Sequence, residues 1–497
     1  MAFENSQAFM VESKKMVGTE QFENSCRLEV QAEKPIKRVV SVFALPKITS
    51  SEKIGDNIDF SGRTLYQVVY ESEDGNLTSL VSLVEWKNKT NMMYENYYLC
   101  PKIIENTITG FSSNEIAIST LVNIEVYSVL QDKIIPVNGL GADYVLAEKT
   151  YDYQKLVNMA TETINEVAEH EYNGKIEDIL YYNGDVRIKN ATAGIDNIAL
   201  EGEININIQA LDGGKIISIN KIINFKQELS ALSVVPNNQI DASVRLNDLK
   251  VSASINETDN KTNLIISVEL SAYALAFSKE SMTVVQDAFS LNKETKTSYE
   301  CVKLESFEEQ GQILDTVTGS FEVDKDIYEI SFISGAEAVV SEIKSAEQGV
   351  LITGGIRVET VCETETREKI KVQGMVPFVV ESVEISKEDI IDASVRISAS
   401  KLKGQREIEI VAELCVNYKK INAEYISYLS QLEEVGDIKE NTSAIRVYIV
   451  KENEDLFSVA KALSVKPEII VSQNPDISDN IVEGTRLVVY KGLDIDF

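Results

Sequence analysis

Histidine is nearly missing from this sequence: there is one, His170, in 497 residues. Nucleophile–base pairs, zinc sites and most proton shuttles draw on histidine, so its scarcity argues against common hydrolytic and zinc-dependent chemistry. His170 stands between Glu169 and Glu171 and reads as a surface residue at a segment end. The five cysteines (Cys26, Cys100, Cys301, Cys362 and Cys415) are scattered, with no CxxC pair, which fits neither a metal-ligand spacing nor a disulfide framework. A GxxxxGK[ST] phosphate loop is absent as well. The expectation is a chain with no catalytic residue, no metal and no cofactor.

Long apolar runs are also missing. Nothing approaches the ~18 uninterrupted apolar residues of a membrane span, and the opening MAFENSQAFMVESKK lacks the basic-then-apolar order of a secretory signal. A chain kept on the cytoplasmic side of a membrane is expected. Positive charge is in short supply, 48 basic residues against 79 acidic ones for a net charge of −31. With no local basic cluster, such a surface repels phosphate backbones, so no nucleic-acid partner is expected. The acidity reads as a solvated surface.

What is present is repetition. IDASVR occurs at residues 240–245 and again at 391–396, and 391 − 240 = 151 positions separate the copies. A chance repeat of six residues is improbable, which points to internal duplication. Ile, Ala and Val alternate with Asp, Ser and Arg, the pattern of a strand with one buried face. The match extends upstream, where ALEGEININIQA (199–210) resembles ITGGIRVETVC (352–362). Gly202 and Gly354 lie 39 (241 − 202) and 38 (392 − 354) residues before Asp241 and Asp392. A fainter copy, FSGRTLYQVVYE (60–71), places Gly62 in the same position. Turn signals such as EDGN (73–76) and LDGG (211–214) separate alternating runs and favour hairpins. With only 8 prolines to interrupt strands, the reading is mainly β: three repeated antiparallel, sandwich-like units.

Two stretches carry helical spacing. In QKLVNMATETINEVAEHEY (154–172), Leu156, Met159/Ala160, Ile164 and Val167 fall on one stripe, and INAEYISYLSQLEE (421–434) behaves similarly. The first is expected to be a helix joining units one and two, the second a helix after unit three. GDIKENTSA (436–444) reads as a linker.

The carboxyl end changes character. In residues 448–491, YIV is a short strand, and Leu456, Val459/Ala460 and Leu463 mark a first helix. Pro467 suits the first position of a second helix that ends near Asn474-Pro475, and RLVVY closes as a strand. This segment resembles a LysM domain over its full length, which implies a small βααβ fold and a usual role in binding N-acetylglucosamine-containing glycans. The family pattern GDTLW reads NEDLF here, so that Asn453, Glu454, Asp455 and, further on, Asn474 occupy the possible glycan-loop positions. The loop glycine and threonine are both replaced. An acidic Asp455 at the threonine position argues against peptidoglycan as a partner.

The repeats are similar to the SPOCS domain of spore coat proteins in endospore-forming bacteria, and VVQDAFS (284–290) resembles that family's inter-repeat signature. Repeated SPOCS domains before a terminal LysM domain is the arrangement of a clostridial type of spore coat morphogenetic protein. The resemblance implies a non-enzymatic adaptor in the mother-cell cytoplasm at the forespore surface, recruiting coat layers through a SpoIVA-type ATPase or other coat proteins. The corresponding divisions are a leader (1–24), unit one (25–150), linker helix and unit two (151–295), unit three (296–435), linker (436–444) and LysM domain (445–491).

Two other roles compete. One is a self-assembling coat-layer or filament subunit built by strand addition, with the loose leader 1–24 as the donated strand. The other is a peptidoglycan-binding protein. Over 445–491 six basic and seven acidic residues give −1, so the terminal module is nearly neutral at the end of an acidic chain. That makes it the part least hindered from approaching another acidic surface. Phe457, turned ~100° from Leu456 on the first helix, and Ile445, just before the first strand, are the expected partner-binding residues.

Overall fold

The computed structural model describes residues 8–30, 34–91, 96–256, 260–387, 389–438, 445–477 and 481–490. Among them the chain is mainly β, with two short helices near the carboxyl end. No helix among the described residues is long and apolar enough to cross a membrane.

Eighteen strands fall into three sets of six. Unit one comprises β1 (Phe9–Glu29), β2 (Ile36–Ile54), β3 (Asn57–Ser72), β4 (Leu77–Asn91), β5 (Tyr97–Phe111) and β6 (Glu115–Ile134). Unit two comprises β7 (Tyr144–Tyr172), β8 (Ile176–Ala193), β9 (Asn197–Asp212), β10 (Lys215–Ser230), β11 (Gln239–Asn256) and β12 (Lys261–Ser290). Unit three comprises β13 (Lys293–Glu322), β14 (Ile327–Ser345), β15 (Val350–Thr364), β16 (Lys369–Ser382), β17 (Ile390–Leu402) and β18 (Glu407–Asp437). In every unit the sixth strand lies between the first and fifth, and the third between the second and fourth, giving two antiparallel three-stranded sheets.

The two sheets of a unit face each other. In unit two, Ile198, Leu200 and Ile204 of the central strand β9 share one core with Leu264, Ile266 and Leu270 of the central strand β12. Alternating Ile, Val and Leu in the central strands bury one face, at roughly 1.5–3 kcal/mol for each large side chain. The fifth strand runs beside the second and the first beside the fourth, closing both flanks of each unit. Tight turns connect the inner strands. Gly213 and Gly214 both take positive φ (57° and 76°) in the loop from β9 to β10, a backbone that L side chains resist.

The units close into a ring. β4 lies against β8, β10 against β14, and β16 returns to β2, while the first strands β1, β7 and β13 meet one another pairwise. Two apolar clusters draw on all three units. One joins Val11 and Ile134 to Tyr151 and Met282 and to Leu304 and Tyr428. The other joins Val40 and Val69 to Leu180 and Tyr181 and to Phe332 and Val361.

The repeat positions coincide. Gly62, Gly202 and Gly354 all lie on the middle strand of the second sheet, opposite Trp86, Phe225 and Phe378. On their other side the neighbouring strand bulges at the same place each time, between Ile48 and Ser50, Ile188 and Asn190, and Val340 and Glu342. The two IDASVR runs occupy the fifth strands, and each is followed by a bulge, after Leu246 and after Ile397.

Three expectations are corrected. Residues 154–172 are not a helix but the second part of β7, paired with β12 as far as Tyr172. Residues four apart share a face in both a helix and a strand, so Ala160, Ile164 and Ala168 satisfy either period. Val167, which the helical stripe would bury, is 67% exposed. Residues 421–434 are likewise strand, inside β18. There a bulge at Ser430 resets the alternation, so that buried Leu429 and Leu432 imitate an i, i+3 step. The leader is strand from Phe9 onward, paired with β6 of the same chain through Glu29. Of the 436–444 linker, Gly436 and Asp437 end β18 and residues 439–444 lie outside the described residues.

Candidate functional site

Beyond the ring the chain forms β19 (Ile445–Ile449), α1 (Leu456–Leu463), α2 (Pro467–Gln473) and β20 (Arg486–Tyr490), with β19 and β20 antiparallel. Each boundary has a local cause. Asp455 caps α1, its Oδ1 accepting from the Ser458 amide at 2.7 Å and the Ser458 hydroxyl at 2.5 Å. Ser464 ends α1 in the left-handed region, and Pro467 stands in the first turn of α2. Val459, Ala460, Leu463, Ile470, Leu487 and Val489 fill the core.

The residues at the glycan-loop positions are engaged within the module. Asn453 adopts φ 61° at the turn. Glu454 accepts from the Lys451 amide (2.9 Å) and the Tyr448 hydroxyl (2.8 Å), which hold its carboxyl below the usual range, the amide most of all. Burial pulls the Asp455 carboxyl upward, but the hydroxyl and amide of Ser458 outweigh it and keep the group low. Asn474 staples α2 to β20: its amide donates to Ile470 O and Val488 O and its oxygen accepts from the Val488 amide, each at 2.8 Å. These groups brace the fold.

Phe457 and Ile445 do not form one patch. Phe457 is half-buried, its ring set edge-on against Phe289 of β12 with centroids 5.3 Å apart. One turn later, Lys461 Nζ donates to both carboxylate oxygens of Asp287 at 2.7 Å. Asp287 and Phe289 belong to the VVQDAFS stretch, which the sequence marks without indicating what it touches. Ile445 lies instead on the outer face of the β19–β20 sheet with Val447, Ile449 and Tyr490, all between 49% and 62% exposed. Directly opposed residues share a face, and Ile445 pairs with Tyr490. The alternation of IRVYI was a signal for this outer stripe, because Arg446 and Tyr448 bond inward, to Leu463 O and to Glu454.

A second polar cluster sits where the three units meet. Asp241, the aspartate of the first IDASVR, is buried and ion-paired to Lys14 of unit one (3.2 Å) and to Lys419 of unit three. Lys14 Nζ also lies 5.4–5.6 Å from the ring centroids of Tyr98, Tyr127 and Tyr273. Desolvation lowers Lys14 to about 8, with Asp241 opposing the shift and Lys419 reinforcing it. Burial pushes Asp241 up, but Lys419 and Lys14 together hold it low. Burial raises the three tyrosines, so neutral rings face the lysine. Asp392, in the second hexamer, is exposed. No sequence feature separates the two aspartates, since the difference lies in which neighbouring units face them.

His170 is half-buried on β7 opposite Leu264. Among the described residues no group of three or more His, Cys, Asp or Glu side chains is placed to hold a metal ion. Neither a family model, nor a curated protein, nor a solved structure matches the chain.

Proposed function

We propose that this chain is a non-enzymatic structural adaptor of endospore coat assembly, of the type of the clostridial protein SipL. It would act in the mother-cell cytoplasm at the forespore surface. Three repeated β units form the scaffold, and the LysM-like terminal module docks on a SpoIVA-type coat ATPase or another coat protein. One observation carries the reading. Glu454, Asp455 and Asn474 are consumed by internal hydrogen bonds, whereas the outer face of the module's sheet offers an apolar stripe of Ile445, Val447, Ile449 and Tyr490. That chemistry suits a protein surface better than a sugar. The module's charge of −1 on a chain of −31 supports the same assignment.

The test is Ile445→Glu in the full-length protein. Ile445 is exposed, so the fold tolerates the change, and co-purification with the coat ATPase should fall at least about tenfold. A fluorescent fusion should ring the forespore in the wild type and spread through the mother cell in the variant. Undiminished capture by the folded variant rejects the docking face.

Strand-addition assembly is the competing role. Because β1 is paired with β6 from Phe9 to Glu29, donation to a neighbour would first break that ladder. Negative-stain images of filaments from purified protein would favour assembly over the adaptor.

A further inference from the structure

The two edges of the β19–β20 sheet differ. On the β20 side, side chains stand in for a third strand. The Asn474 amide exchanges hydrogen bonds with both backbone groups of Val488, each at 2.8 Å, and Gln473 does the same with Tyr490, at 2.7 and 3.3 Å. A strand residue points its N–H and C=O to one side, so Val488 and Tyr490 turn theirs away from β19. Their opposite residues, Val447 and Ile445, therefore turn theirs away from β20, and Ile449 follows two residues on. Among the described residues no hydrogen bond reaches these outward groups. The bare edge lacks the usual protection: it has no proline and no bulge, and Ile445, Val447 and Ile449 are exposed along it.

We propose that a second copy of the chain pairs with this edge, β19 against β19, about a two-fold axis at Val447. The strand is self-complementary for that arrangement. Two antiparallel copies of IRVYI set Val447 on Val447 and Ile445 on Ile449, so every apolar side chain falls on one face. On the other face Arg446 meets Tyr448 of the second copy, whose hydroxyl is bonded to Glu454, so a cation approaches an anion on both sides of the axis. The outward backbone groups of the two strands satisfy one another. Charge opposes the approach little, because the module carries only −1. Growth stops at two copies, since the Gln473 and Asn474 amides already occupy the outer edges of the joined sheet. The inference goes beyond the adaptor role and does not compete with it. Pairing consumes the edge of β19 rather than its outer face, and the second copy adds its own Ile445, Val447 and Ile449 to one continuous apolar stripe.

Cysteine variants of the full chain read the register. Val447→Cys brings its two copies face to face at a Cα separation of about 5.5 Å, within disulfide reach. Ile445→Cys leaves its copies four residues apart along the strands, about 13 Å, and Ile445→Cys with Ile449→Cys restores facing pairs. Under mild oxidation V447C and the double variant should form covalent dimers. I445C should form no more than wild type, whose exposed Cys301 sets the background. Equal cross-linking by V447C and I445C overturns the register, and none by V447C above background overturns the pairing. Sedimentation equilibrium reads the association itself, with wild type expected in a monomer–dimer equilibrium. Val447→Pro removes an N–H that faces solvent in the single chain, a position where an edge strand accepts proline. Folded V447P should associate at least about tenfold more weakly. A wild type that stays monomeric, or grows beyond dimers, overturns the proposal, as does undiminished association of folded V447P. Should V447P unfold, the cysteine pattern decides. Neither measurement involves a coat protein, so a monomeric chain leaves the docking function standing, and failed capture by the coat ATPase leaves the dimer standing.

Discussion

Gly202 of β9 stands directly opposite Phe225 of β10, and the Phe225 ring occupies the space where a Cβ at position 202 would lie. The backbone carbonyl of Arg187 closes the other side. The same packing recurs at Gly62 with Trp86 and the Lys47 carbonyl, and at Gly354 with Phe378 and the Val339 carbonyl. In each unit an aromatic ring lies over a bare strand backbone, next to a bulge that bends the neighbouring strand. Gly202→Ala should therefore lower stability by about 1–3 kcal/mol, the cost of overpacking against a ring and a carbonyl that cannot both move. Chemical denaturation would read it. With Phe225→Ala already present, the added cost of Gly202→Ala should shrink, because the ring is gone.

Lys14 makes stability depend on pH above neutrality. Its folded value of about 8 lies below the 10.5 of an exposed lysine. Below pH 8 it is charged in both states, and its burial is a standing cost. Between about 8 and 10.5 the unfolded chain holds more protons than the folded one, so stability rises with pH through that window, by at most ~1.4 kcal/mol per pH unit. Urea midpoints of wild type and Lys14→Met, compared at pH 7, 8, 9 and 10, isolate this contribution. The difference should move in favour of wild type as pH rises, and a flat difference would refute the assignment.

In the terminal module, bracing and sugar binding predict different outcomes. Asp455→Ala removes a helix cap and should cost about 1 kcal/mol of module stability. Asn474→Ala leaves Val488 and Ile470 backbone groups without partners and should cost more, roughly 2–3 kcal/mol. Calorimetry of the full chain with chitin oligomers should detect no micromolar binding, before or after either change. Saturable micromolar binding lost in the Asp455 variant would return the loop to glycan recognition.

The second to sixth strands of the repeat were legible in the sequence where alternation was clean and punctuation strong, as in ININIQA before its DGG turn. Equivalence of Gly202 and Gly354 could be read from their spacing to the two hexamers, and that of Gly62 from the pattern of residues around it. The first strands were not legible in any of the three units. β1 carries charges on both faces near its start, and β7 places its apolar residues four apart, a step that a helix and a strand share. Bulges hid more, because an extra residue such as Ser430 shifts the alternation and imitates a helical interval. The joining of three units into a ring left no local mark, since contacts such as Arg38 with Glu368 and Gln67 with Tyr182 span hundreds or scores of residues. The module residues were found, but their grouping was not: Phe457 turned to the seam and Ile445 to solvent because Asp287 and Phe289 were waiting on a distant strand.

The two IDASVR runs separate sequence from environment within a single molecule. Both take the same place on a fifth strand, so their Ile, Ala and Val serve the same ladder, and each run is followed by a bulge. Their aspartates differ. Asp241 is buried between Lys14 and Lys419, while Asp392 is exposed, its carboxylate accepting from the neighbouring Ala393 amide at 2.9 Å. Asp241→Asn leaves two ammonium groups from different units facing each other without their shared counter-charge. Breaking a buried pair in this way costs about 3–5 kcal/mol. Asp392→Asn removes an exposed charge and should stay within about 0.5 kcal/mol of wild type. Paired denaturation curves decide the matter, with Lys14→Met added to Asp241→Asn as the control. Removing one ammonium should recover part of the loss, because the remaining repulsion disappears. Equal effects of the two aspartate changes would mean that the hexamer acts through its strand alone, and that the charge junction of the three units contributes nothing to holding them together.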